Sequence, residues 1–146
     1  MDMLRLSEAA SLALHTMVYL SSHPEGQAST REIAGDLKVS EAHLSKVLQR
    51  LTRFGLVISV RGPRGGFSIA PDRDNATLLD IYEAIEGPIP ERKCFRTTSI
   101  CSGNHCIFGG LIEDVNKQVK DYMAETSLPD LAGVFGGRVE RVSQGS

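Results

Sequence analysis

"VSEAHLSKVLQRLTRFGLVISVRGPRGGFSIA", residues 39 to 70, changes its apolar period halfway along. In the first half Leu44, Val47, Leu48 and Leu51 recur at three- and four-residue steps, the spacing of one helix face. Ser40 stands where an N-cap hydroxyl is wanted, and Glu41 where a carboxylate meets the positive end of the helix dipole. Gly55 stands where such a helix is expected to stop. In the second half "LVISV" is rich in β-branched residues, "RGPRGG" is turn chemistry and "FSIAP" is a second short run, so a β-hairpin is predicted.

Working outward, "STREIAGDLKVS" precedes the stretch, with Ser29 and Glu32 at capping-box spacing and Ile33, Ala34 and Leu37 as a short apolar face. A first helix is predicted from about Ser7 to Ser21 by Leu6, Ala10, Leu14, Met17 and Val18, and "SSHPEGQ" breaks it with Pro24 and Gly26. Downstream, "TLLDIYEAIEGP" reads as a short helix capped through Thr77 and Asp80 and stopped at Gly87-Pro88. Phe108, Leu111, Ile112, Val115, Val119, Tyr122 and Met123 form a long amphipathic stripe, and the terminal "GGRVERVSQGS" has little to pack. Helix, short helix, helix and basic hairpin is the order of a winged helix-turn-helix. The expected fold is mostly α with a small β-hairpin: a winged helix-turn-helix over residues 1–75, a connecting helix, cysteine loop and long dimerisation helix over 76–128, and a flexible tail over 129–146.

The chain has 146 residues, enough for one domain or a small domain with an appendage. It opens without a basic segment leading into an apolar run, and no apolar run nears the roughly 18 residues of a membrane span. The expected compartment is the cytoplasm, where thiols stay reduced. The net charge of −2 hides a segregation. Residues 38–64 carry Lys38, Lys46, Arg50, Arg53, Arg61 and Arg64 against Glu41 alone, a local balance of +5. Residues 74–91 carry Asp74, Asp80, Glu83, Glu86 and Glu91 and no Lys or Arg. A polyanion feels the patch rather than the average.

The second helix of a helix-turn-helix enters the major groove of double-stranded DNA with its N-terminal residues at base edges. The candidates there are Ser40, Glu41, Ala42, His43, Ser45 and Lys46. Lys46, Arg50 and Arg53 suit phosphates, whose contacts orient without reading sequence. Arg61 and Arg64 on the glycine-rich tip could enter a minor groove or clamp phosphates; alone, they could equally be a solvated turn. No nucleophile–base pattern, phosphate loop or CxxC is present, so an enzyme is not expected.

All three cysteines fall in "KCFRTTSICSGNHC", residues 93 to 106. A reducing compartment argues against a disulfide, and the absence of a close CxxC pair argues against structural zinc, although His105 could supply a fourth ligand. Free redox-active thiols remain open. An iron–sulfur cluster suits the loop better, because thiolates are its normal ligands and a polar loop can wrap a group larger than one ion.

The run from Ala28 to Ala70, and "GLVISVRGPRGGFSIA" above all, resembles the DNA-binding domain of the Rrf-two family of bacterial regulators. "LRLSEAASLALHTMVYLS" resembles that family's first helix, and "ATLLDIYEAIEG" the helix before its sensory loop; the likeness covers about residues 3 to 128. The resemblance implies a homodimeric transcriptional regulator, held by the helix after the loop and binding a near-palindromic operator. It also implies a [2Fe-2S] or [4Fe-4S] cluster on Cys94, Cys101 and Cys106 that senses cluster supply, iron, redox state or nitric oxide. Some members of the family do without a cluster and work as thiol-based or partner-controlled repressors. The gaps here are six and four residues instead of the family's commoner five and five, which shifts Cys101 by one position. A fourth ligand is implied from the first helix of the partner, where Ser11 and His15 occupy the corresponding positions. Glu8, Ser11 and His15 share a helix face, His15 is the preferred ligand, and Glu8 and His105 rank lower.

Overall fold

Helix α1 (Glu8–Ser22) is apolar on most sides, with Leu12, Ala13, Met17, Val18 and Leu20 all buried, so it forms the axis of the core. The computed structural model describes residues 6–91, 94, 100, 101 and 106–135 of the chain. Ser7 caps α1 by accepting from the Ala10 amide at 3.0 Å, and its Oγ donates to Glu86. Thr16 is fully buried in α1, and its Oγ1 has no hydrogen-bond partner among the described residues.

Helices α2 (Thr30–Leu37) and α3 (Glu41–Arg53) follow as foreseen. Ser29 accepts from the Glu32 amide at 3.1 Å, but the Glu32 carboxylate turns to His23 Nε2, 3.1 Å away, so only half of the expected capping box forms. Lys38, the C-cap of α2, has φ 61°, the only positive φ outside glycine among the described residues. That left-handed residue makes the tight turn into α3. The α3 stripe Leu44, Val47, Leu48 and Leu51 is at most 2 % exposed, so truncating one of these leucines would cost about 2–5 kcal/mol.

The hairpin consists of β2 (Val57–Val60) and β3 (Gly66–Ile69), and a strand not foreseen, β1 (Gln27–Ala28), pairs with β3 on its other side. All pairs are antiparallel, in the order β1-β3-β2, with Gln27 opposite Ser68 and Ile58 opposite Ser68 from the other side. The backbones of β1 and β3 approach so closely at Gly66 that a Cβ there would lie 2.2 Å from the Ala28 carbonyl oxygen. The expected hairpin is thus one part of a three-stranded sheet.

Helix α4 (Leu78–Glu86) carries a complete capping box between Thr77 and Asp80. Helix α5 (Leu111–Glu125) starts three residues later than the stripe suggested, and Phe108 lies in the turn before it. Its base is closed onto α4: the Leu78 amide donates to Thr126 O at 2.9 Å, and the Leu128 amide to Ala76 O at 3.0 Å. A short 3-10 turn, Leu128–Leu131, then returns to α1, with Leu128 fully buried and Leu131 packed on the core. Within the stretch expected as a tail from residue 129, Leu131 packs on the core while Val134 is exposed, and residues 136–146 lie outside the described residues. Among the described residues no helix is long and apolar enough to cross a membrane.

Candidate nucleic-acid interface and cysteine segment

On α3 the buried stripe turns Glu41, Ala42, Lys46, Gln49 and Arg53 outward. Gln49 was missed from sequence, although it lies three residues after Lys46 on the same face. The Ser40 hydroxyl is occupied as N-cap, accepting from the His43 amide at 3.1 Å. His43 is partly buried and leans toward α1. It lines an open groove of about 460 Å³ together with Glu8, Ser11, His15, Asp36 and Phe135.

Arg50 departs from the phosphate-facing expectation. Its Nη2 donates to Ile85 O at 2.7 Å, so one end of the guanidinium is committed to the last turn of α4. The physical reason is position: Arg50 follows the buried Val47 and Leu48 and sits over the α3–α4 contact, where an α4 carbonyl has no helical partner. With the Ser7–Glu86 hydrogen bond, the end of α4 is held from both α1 and α3.

Arg61 and Arg64 are fully on the surface of the wing tip. The tip is a turn closed by the Gly65 amide donating to Gly62 O at 2.8 Å. A Cβ on Gly65 would lie 2.5 Å from Val60 O, so the turn depends on glycine there. The guanidinium of Arg64 makes no ion pair among the described residues, and Gln27 Nε2 donates to Arg64 O at 2.6 Å. Lys46 and Arg53 on α3 and Arg61 and Arg64 on the wing are each exposed, the state in which such cations can neutralise phosphates.

The α1 face foreseen for ligands is assembled. His15 is exposed, with Nδ1 2.6 Å from Ser11 O and 3.5 Å from Ser11 Oγ. A carbonyl at that distance calls for the proton on Nδ1, so in the neutral ring the lone pair lies on Nε2. Phe135 approaches edge-on, with ring centroids 6.3 Å from His15 and 6.0 Å from Tyr19. The phenol of Tyr19 donates to Asp36 Oδ2 at 2.6 Å. Burial, and next that hydrogen bond, push its ionisation well above the ordinary tyrosine range.

Cys94, Cys101 and Cys106 form no disulfide, and each is partly buried. The Phe108 amide points at Cys106 Sγ, 3.4 Å away, and the chain turns through Gly109 into α5. The donor set has the right chemistry for thiolate ligation, but among the described residues no three His, Cys, Asp or Glu side chains converge to hold a metal ion. His105 lies outside the described residues. On α5 only part of the apolar stripe packs within the chain. Ile112 and Met123 are buried, whereas Leu111 is 53 % and Tyr122 59 % exposed, and Ile107 before the helix is 83 % exposed.

A profile described as Rrf2, iron-dependent transcriptional regulator, matches residues 6–133. The chain is 32% identical to an HTH-type transcriptional regulator of Aquifex aeolicus over 131 residues, covering 88% of this chain and 91% of that one. Among solved structures it is similar to CymR, the global cysteine regulator of B. subtilis, with a TM-score of 0.74 and 29% identity over 91% of this chain and 99% of that one. It is also similar to T. potens IscR, with a TM-score of 0.67 and 25% identity over 88% and 85% of the two chains. The five helices and three-stranded antiparallel sheet match the winged-helix fold of these neighbours.

Proposed function

Because the chain belongs to the Rrf2 family, and is a transcriptional regulator with a DNA-binding fold and not an enzyme, we propose that it is a homodimeric switch that reports iron–sulfur status to a near-palindromic operator. One observation carries the proposal. All three cysteines lie between α4, whose end is tied to α3, and α5, which keeps an exposed apolar row. A change at the cysteines is thereby flanked by the element that holds α3 and by the surface that a second copy would cover.

In this reading Leu111, Tyr122 and Ile107 pack against the second copy, which places two recognition helices about a two-fold axis. Ser40, Glu41 and His43 stand at base edges; Lys46, Arg61 and Arg64 meet phosphates or a minor groove, and Arg50 orients α3 from behind. Cys94, Cys101 and Cys106 would supply thiolates, and His15 of the partner subunit would supply the fourth ligand. Bound there, an iron–sulfur cluster supplies one-electron chemistry and lability toward oxidants or nitric oxide. The chain's own part is to tie the end of α4 to both α1 and α3, so that a few kcal/mol of differential stability suffice to shift the spacing of the recognition helices.

The test is protein purified without oxygen, with an absorption spectrum and counts of iron and sulfide. A cluster band is expected, lost in Cys94→Ala or Cys106→Ala and kept in Arg61→Ala or Arg64→Ala, which instead weaken DNA binding. A second reading, a thiol-based or partner-controlled repressor without a cluster, is favoured by the similarity to a cysteine regulator. Intact thiols with no iron–sulfur absorption after reconstitution would select it.

A further inference from the structure

We infer that Gln27, outside the expected DNA-contacting set, is a positioning residue that aims Arg64 at DNA; the inference rests on the proposed DNA-binding role of the wing. The peptide joining Arg64 to Gly65 is held at both ends. Its N–H, on Gly65, donates to Gly62 O at 2.8 Å, which closes the tip. Its C=O, on Arg64, accepts from Gln27 Nε2 at 2.6 Å. A peptide unit is planar, so two hydrogen bonds on opposite sides fix its orientation, and with it the direction in which the Arg64 side chain leaves the backbone.

Nothing within the tip replaces Gln27. The turn Gly62-Pro63-Arg64-Gly65 spends its one internal hydrogen bond on Gly62 O, and the Arg64 carbonyl faces the other way, toward β1. Gln27 reaches it because β1 is paired to β3, with Gln27 opposite Ser68 and Ala28 opposite Phe67. The close approach at Gly66 brings that strand against the wing. Glu25 and Glu32 line the same shallow depression as Pro63 and Arg64, yet Arg64 forms no ion pair among the described residues and stays exposed. A neutral amide grips the backbone and leaves the guanidinium free. A glutamate at position 27 would place an acceptor against the carbonyl.

The test is a double-mutant cycle on the full chain, read as affinity against salt for a duplex that the wild-type protein recovers from a randomised library. Arg64→Ala should weaken binding and reduce the salt slope by about 1. Gln27→Leu should weaken binding about 2- to 10-fold, the worth of one neutral hydrogen bond, and move the slope toward that of Arg64→Ala. In the Arg64→Ala background Gln27→Leu should add nothing. Additive losses, a lowered melting temperature with an unchanged slope, or wild-type binding by Gln27→Leu beside a weakened Arg64→Ala would overturn the assignment while leaving the wing on DNA. If the library yields no duplex, or Arg64→Ala binds as wild type, the DNA role of the wing fails and the assignment falls with it. Gln27→Thr, strand-forming but too short to reach, replaces Gln27→Leu if that variant does not fold.

Discussion

Arg50 of the recognition helix holds Ile85 of α4: guanidinium Nη2 to carbonyl oxygen, 2.7 Å, across 35 residues of chain. The contact joins α3 to the helix that leads into the cysteine segment. Arg50→Ala should destabilise the fold by about 1.5–3 kcal/mol, the range for a hydrogen bond to a charged donor. Urea unfolding measures the loss, and the salt slope for DNA should match that of wild type. A stable variant with a shallower slope would return Arg50 to the phosphate-facing set.

Burial of Tyr19, and next its hydrogen bond to Asp36, makes stability depend on alkaline pH. The native state holds the phenol proton more tightly than the unfolded chain, whose tyrosines titrate near pH 10. This contribution is therefore complete below pH 10 and is lost as pH rises above it. Tyr19→Phe should flatten the fall in stability above pH 10 and cost about 1.5–3 kcal/mol at pH 7. Equal alkaline slopes in the two proteins would refute the assignment.

Thr16 buries a hydroxyl without a partner among the described residues. Thr16→Val keeps the shape and removes the unmatched polar atom, so it should stabilise by about 1 kcal/mol. In a domain of this size that is a rise of about 2–4 °C in melting temperature. A drop in Tm would mean that the hydroxyl has a partner in solution.

Lys38 is held in the left-handed region at φ 61°. A side chain there costs about 1–2 kcal/mol, partly offset in glycine by the larger entropy of its unfolded chain. Lys38→Gly should therefore stabilise by about 0.5–1 kcal/mol, measured by urea unfolding, and Lys38→Val should destabilise.

The recognition helix and hairpin were legible because Leu44 to Leu51 and "LVISV" differ in period, and period is what a sequence displays. Strand β1 was hidden: two residues, Gln27 and Ala28, cannot show alternation and look like the end of a turn. Arg50 looked like its cationic neighbours because charge says nothing of which way a long side chain bends. His43 likewise gave no sign that it shares a groove with His15, since that depends on how α1 crosses α3. The turn from Leu128 to Leu131 was hidden because Pro129 and the nearby Gly133 break periodicity even where Leu128 is fully buried. Glu8, Ser11 and His15 were legible as a group, because helical spacing alone brings them together.

The cysteine segment departs from and rejoins the fold at anchored points. Asn116 Nδ2 donates to Pro90 O at 3.0 Å, and Lys120 pairs with Glu91 at 3.6 Å, just where the segment leaves. It returns at the start of α5, whose far end is stitched to α4. The six-and-four and five-and-five spacings have the same outer span, so the length of chain between the anchors is the same for both. Six-and-four and five-and-five arrangements of the cysteines are then interchangeable as far as the scaffold is concerned. The middle cysteine can therefore change position while the anchors at Pro90 and Glu91 keep α4 and α5 where they are.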